Sequence, residues 1–100
     1  MIADEYIIRT ESGEDYPFDS RGLELYLSPD GFDVQVVPPE YGQLGLLVNG
    51  VELSFCIEPV GIQVAIEDGE PTEKQLTSIF TAIIDRLKST TGLNGLFYPI

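Results

Sequence analysis

The chain has 100 residues, 43% of them hydrophobic and 22% charged, which suits one globular domain with a single modest core over 1–100. Seventeen Asp and Glu stand against five Lys and Arg, a net charge of −12, with no His and a single Cys. These counts exclude a histidine-dependent nucleophile, a histidine-bearing zinc site and an internal disulfide, and no apolar run reaches the ~18 residues of a membrane span.

Met1-Ile2-Ala3-Asp4-Glu5 has neither a basic nor an apolar signal region, so the expected compartment is a bacterial or phage-infected cytoplasm. Tyr6 to Thr10 suits a short first strand, and Glu11 to Pro17 a polar loop. Leu23, Leu25 and Leu27 alternate with Glu24, Tyr26 and Ser28, the period of a half-buried strand. Phe32, Val34 and Val36 alternate with Asp33, Gln35 and Val37 in the same way. Ser28-Pro29-Asp30-Gly31 suits a turn that sets Leu27 opposite Phe32, Leu25 opposite Val34 and Leu23 opposite Val36.

Pro38-Pro39-Glu40-Tyr41-Gly42 reads as loop, because proline cannot donate to a strand ladder. Asn49-Gly50 then predicts a two-residue hairpin, since both residues tolerate positive φ. It places Val48 opposite Val51, Leu46 opposite Leu53 and Leu44 opposite Phe55, with all six on one face. Pro59-Val60-Gly61 turns the chain once more, and Ile62, Val64 and Ile66 continue the core side.

Thr72 and Gln75 form the pattern of a capping box, with Pro71 and Leu76 placed as its apolar staple. Leu76, Ile79, Phe80, Ile83, Ile84 and Leu87 make one helical stripe, and Gly92 suits the helix end. The predicted helix runs over 73–90. Leu93 to Ile100 suits an edge segment that Pro99 ends. The expected fold is therefore α+β: a four- to six-stranded, mainly antiparallel β-meander with one C-terminal helix packed on one face. Leu25, Val34, Leu46, Leu53, Phe55, Val64, Phe80 and Ile83 are its expected core.

Alternation also assigns the other face: Glu24, Tyr26, Asp33, Gln35, Val37, Gly45, Leu47, Glu52, Ser54, Cys56, Glu58, Gln63, Ala65 and Glu67. Five of these are carboxylates and none is a cation. Charge is also uneven along the chain, at −13 over residues 1–70 and +1 over 71–100. Such a field repels nucleic acid and anionic membranes and draws cationic surfaces.

The chemistry of an enzyme is hard to place here. Cys56 has no sequence-near base or cation, and Gly42-Gln43-Leu44-Gly45 lacks the lysine of a phosphate loop. Asp30-Gly31-Phe32-Asp33 and Glu67-Asp68-Gly69-Glu70 lack the ligand offsets of a calcium loop. No cofactor, no metal and no catalytic residue is expected. The expectation is a non-enzymatic, acidic protein-binding module for a basic protein partner, through Glu24, Tyr26, Asp33, Leu47, Glu52, Glu58 and Glu67. In charge and size, though by no motif, the chain is similar to small acidic inhibitors, among them immunity proteins against toxin nucleases and phage proteins that block nucleic-acid-binding enzymes. The alternative is a structural or accessory subunit that forms a homodimer or adds a strand to a partner, its charge serving solubility.

Overall fold

The computed structural model describes residues 4–18, 22–58 and 61–100. The Met1-Ile2-Ala3 start, Arg21 and the Pro59-Val60 turn lie outside the described residues. Eight elements follow in order: β1 (Glu5–Thr10), α1 (Leu23–Leu27), β2 (Val34–Val37), β3 (Leu44–Val48), β4 (Val51–Glu58), β5 (Gly61–Asp68), α2 (Glu73–Thr91) and β6 (Gly95–Pro99). The six strands make one open sheet in the order β2-β3-β4-β5-β1-β6, antiparallel at every pairing. Strands β2 to β5 form the meander, and β1 slots between β5 and β6. This is the α+β architecture expected from the sequence.

The Asn49-Gly50 turn sets the central register. Asn49 has φ of 47° and Gly50 of 85°, the paired positive values that a two-residue hairpin turn requires. Leu44 consequently faces Phe55, Leu46 faces Leu53 and Val48 faces Val51, all six buried. Helix α2 begins at a complete capping box. The Gln75 amide donates to Thr72 Oγ1 at 3.1 Å, and the Thr72 amide donates to Gln75 Oε1 at 2.7 Å. At its other end Gly92, with φ of 78°, donates to the Lys88 carbonyl at 2.8 Å.

Leu76, Ile79, Phe80, Ile83 and Leu87 are buried from α2, and each contributes roughly 1.5–3 kcal/mol of gross apolar stabilisation before ordering costs. Phe80 seats the helix on the late-joining strands: its ring lies 4.8 Å from Tyr6 of β1 and 5.1 Å from Phe97 of β6. Ile84 is half-buried beside them.

Several expectations are corrected. Leu23 to Leu27 is a helical turn and not a strand, so the hairpin about Ser28-Pro29-Asp30-Gly31 does not form. The five-residue pattern is degenerate, because Leu23 and Leu27 share a face at a spacing of four as well as of two. Both are buried, while Leu25 between them is 62% exposed and not core. Freed of that partner, Val34 to Val37 pairs with β3, which puts Val34 opposite Val48 and Val36 opposite Leu46.

Val36 is accordingly an inward-facing residue that is 61% exposed, since the helical layer does not reach over the sheet's rim; Val34 is half-buried. The layer itself holds two helices, with α1 packed beside α2. Finally, Glu24 and Tyr26 leave the sheet face altogether. They belong to α1, where the Tyr26 ring meets Phe18 edge-on at 5.2 Å.

Candidate functional site

Insertion of β1 and addition of β6 extend the outward face beyond what alternation in the middle strands reveals. Tyr6, Ile8 and Thr10 point into the core, so Glu5, Ile7 and Arg9 point outward. The pairing of β1 with β6 sets Ile7 beside Tyr98 and Arg9 beside Leu96. The Ile100 amide continues the ladder by donating to the Glu5 carbonyl at 3.1 Å. Leu96, Tyr98 and Ile100 are all exposed, a row of large apolar side chains at the rim. Arg9 also corrects the expectation of a face without cations, and its Nη1 donates to the Tyr98 hydroxyl at 3.3 Å.

The face is not an open plane. Residues 38–43, which join β2 to β3, fold back across it as a strap. A β-carbon on Gly45 would stand 2.6 Å from the Val37 carbonyl oxygen and 3.0 Å from Pro39 Cα, so the strap lies directly on β3 there. The Glu40 amide donates to Ser54 Oγ at 3.2 Å, one strand further in. At the returning end the Gln43 amide donates to the Phe55 carbonyl at 2.9 Å, and Gln43 Oε1 accepts from the Ile57 amide at 2.8 Å. Gly42 packs against the Phe55 carbonyl, where a side chain would collide. This covering explains why outward-facing Gly45, Ser54 and Ala65 are buried. The sequence marked these residues as loop correctly, but carried no signal that the loop doubles back.

Tyr41, in the strap, lies close enough to Glu5, Glu67 and Glu58 to feel their charge. Its hydroxyl is buried and has no hydrogen-bond partner among the described residues. Burial raises its pKa above the ordinary phenol value, and the negative charge of Glu5, Cys56, Glu67 and Glu58 adds to the rise. Cys56 lies nearby, its thiol donating to Glu58 Oε1 at 3.2 Å. That bond, then desolvation, then the carboxylate's charge hold the thiol pKa above its usual range, which makes the sulfur a poor nucleophile at neutral pH.

The structure divides the sequence-derived set between two ends of the face and the helical layer. Leu47 and Glu52 are direct cross-strand partners, in one row with Gln35 and Asp68. Asp33 precedes β2 and is held at the hairpin end, where its amide donates to Asn49 Oδ1 at 2.7 Å and its carbonyl accepts from the Asn49 amide at 2.9 Å. Glu67 is the unpaired residue of a bulge, since Glu52 faces Asp68 while Leu53 faces Ile66. Glu58 closes the opposite end beside Cys56. The strap thus separates Leu47, Glu52 and Asp33 from Glu58. Glu24 and Tyr26 join neither group.

Glu5, Ile7, Tyr41, Leu96, Tyr98 and Ile100 belong to the face and were missed. The alternation of Glu5, Ile7 and Arg9 was readable, yet nothing local says where in the sheet a first strand will sit. Among the described residues no helix is long and apolar enough to cross a membrane, and no three carboxylate or thiol groups gather as a metal site. No protein-family model, no curated protein and no solved structure matches the chain.

Proposed function

We propose that this protein is a non-catalytic binding module that holds a basic protein partner against the outward face of its sheet. One observation carries the reading: carboxylates Glu5, Glu58 and Glu67 stand around exposed or partly exposed apolar side chains on a hydrogen-bonded, pre-organised surface. Long-range attraction by a −12 chain steers a cationic partner in, and the apolar rim supplies the desolvated anchor. The partner class that suits such a face is a nuclease or another nucleic-acid-binding enzyme, whose phosphate site the carboxylates would occupy. The role is then that of an inhibitor or immunity-type protein. Nucleic acid and anionic membrane are disfavoured as partners by the same charge.

The test begins with capture of basic proteins from the native cell and continues with kinetics on the captured partner. Glu5→Lys with Glu58→Lys should slow association, more so at low salt, because exposed charges act through the field. Tyr98→Ala or Leu96→Ala should speed dissociation, because an apolar anchor holds the complex once formed. An affinity indifferent to the charge reversals and to salt would sink the reading.

A further inference from the structure

Strand β2 is one rim of the sheet, and the Asn49-Gly50 turn decides which of its backbone groups are used. In a two-residue hairpin the flanking residues, Val48 and Val51, exchange their amide and carbonyl bonds. Alternation then aims the polar groups of Leu47 and Gly45 at β2, where they satisfy Gln35 and Val37 opposite. The Asn49 amide bonding to the Asp33 carbonyl at 2.9 Å continues the same parity. The amides and carbonyls of Val34 and Val36 therefore point away from the sheet. Pro38, next in that series, has no amide to offer, so the free ladder stops there.

This rim lacks the devices that usually blunt an edge. Val34-Gln35-Val36-Val37 contains no lysine, no proline, no bulge and no inward charge, and Val36 lies 61% exposed beside the unused amides. The rim at β6 carries Pro99. From residue 22 to residue 73 there is no Lys or Arg at all, while Asp33 adjoins the start of β2 and Glu52 shares the row of Gln35.

We propose that β2 accepts an extended segment of a basic partner as a seventh strand. The segment pairs with the amides and carbonyls of Val34 and Val36, and lays apolar side chains over Val36. At alternate positions it presents Lys or Arg to the carboxylates. Charge selects this occupant over a second copy of the chain, because a copy carries its own −12 and offers no Lys or Arg between residues 22 and 73 to meet Asp33 and Glu52. The inference rests on the reading above for the partner's charge, but not for the surface it covers.

Amide hydrogen exchange of the full chain, with the peptide Lys-Val-Lys-Val-Lys-Val-Lys as probe, tests it. Exchange at Val34 and Val36 should slow about tenfold or more on saturation, as expected for newly paired amides, while Gln35 and Val37 stay as they were. The peptide with Glu in place of Lys should give no protection, nor should the Lys peptide N-methylated on its pairing edge. Val36→Pro removes a donor that bonds nothing among the described residues, and should weaken the Lys peptide about tenfold while the fold persists. Val36→Lys is the second variant, with loss of binding expected from an edge charge. Glu5→Lys with Glu58→Lys, which tests the outward face, should leave protection at Val36 in place, so the two ideas fail separately. Three results would overturn the proposal: equal binding of the Glu peptide, unchanged exchange at Val36 on saturation, or protection that grows with protein concentration when no peptide is present.

Discussion

Arg86 Nε donates to the Leu25 carbonyl at 2.7 Å, joining the long helix to the short one across 61 residues of chain. Its Nη1 also reaches Asp30 Oδ1 at 3.1 Å, but Asp30 is 79% exposed, and such surface pairs contribute little. Arg86→Ala should therefore cost about 1–2 kcal/mol, chiefly through the lost charge-assisted bond to the Leu25 carbonyl, whereas Asp30→Ala should cost less than about 0.5 kcal/mol. Urea unfolding of the two variants checks the order. Equal losses would mean that the ion pair and not the carbonyl bond holds α1 in place.

The strap makes Gly45 a sensitive position. Gly45→Ala places a methyl 2.6 Å from the Val37 oxygen and 3.0 Å from Pro39, both backbone atoms that cannot simply rotate away. A loss of about 1–3 kcal/mol is expected, the usual range for overpacking, with the strap lifted and Tyr41 more accessible. Denaturant unfolding and quenching of tyrosine fluorescence measure the two effects. Gly31→Ala, where a β-carbon meets nothing within 4 Å but φ is 87°, serves as a control for backbone strain alone.

Tyr41 links this strap to pH. Its folded pKa lies above the phenol's ordinary 10.0, so the folded state holds the proton more tightly than the unfolded chain does. The resulting stability is fully present below pH ~10, where the unfolded phenol titrates, and is lost as pH rises through the higher folded value. Tyr41→Phe removes this dependence together with an unpartnered buried hydroxyl. At pH 7 the variant should match or slightly exceed the parent, by up to about 1 kcal/mol, because no hydrogen bond among the described residues is lost. Its advantage should widen as pH rises above 10 in parallel thermal melts, and an unchanging difference would contradict the account.

Cys56 offers an independent probe of the same region. With its thiol donating to Glu58, alkylation by iodoacetamide should show a pH inflection above that of a free cysteine. Glu58→Gln removes the charged acceptor and should move the inflection down, raising the rate at pH 8. An inflection that does not move would mean burial alone sets the thiol's pKa.

Legibility along this chain follows the range of the interaction involved. The Thr72–Gln75 box, the α2 stripe and the Asn49-Gly50 register each depend on neighbours a few residues apart, and each could be read from spacing. Leu23 to Leu27 could not, since five residues satisfy two periods at once and contacts with distant parts of the chain, Arg86 among them, decide between them. The face was half legible for the same reason. Leu47, Glu52 and Glu58 sit on strands joined by short turns, so their orientation follows from the register. Glu5, Tyr98 and Tyr41 owe their places to pairings and a loop path set by distant parts of the chain.

The placement of β1 carries a consequence for how the molecule is assembled. Its partners lie at Ile62 to Ala65 and at Gly95 to Pro99, so the first strand of the chain can dock only after most of the remainder exists. Until then β5 has a bare edge and Phe80 lacks the Tyr6 ring. Distant pairings of this kind close slowly, and exposed edges invite association between chains in the meantime. Pulse-labelled refolding should therefore show Leu46 and Leu53 protected before Ile8, and Ile8→Ala should chiefly hasten unfolding and leave the folding rate little changed. A kinetically early β1 would reverse both. A chain whose opening strand waits in this way has an interval of exposure during its own synthesis that its finished form does not reveal.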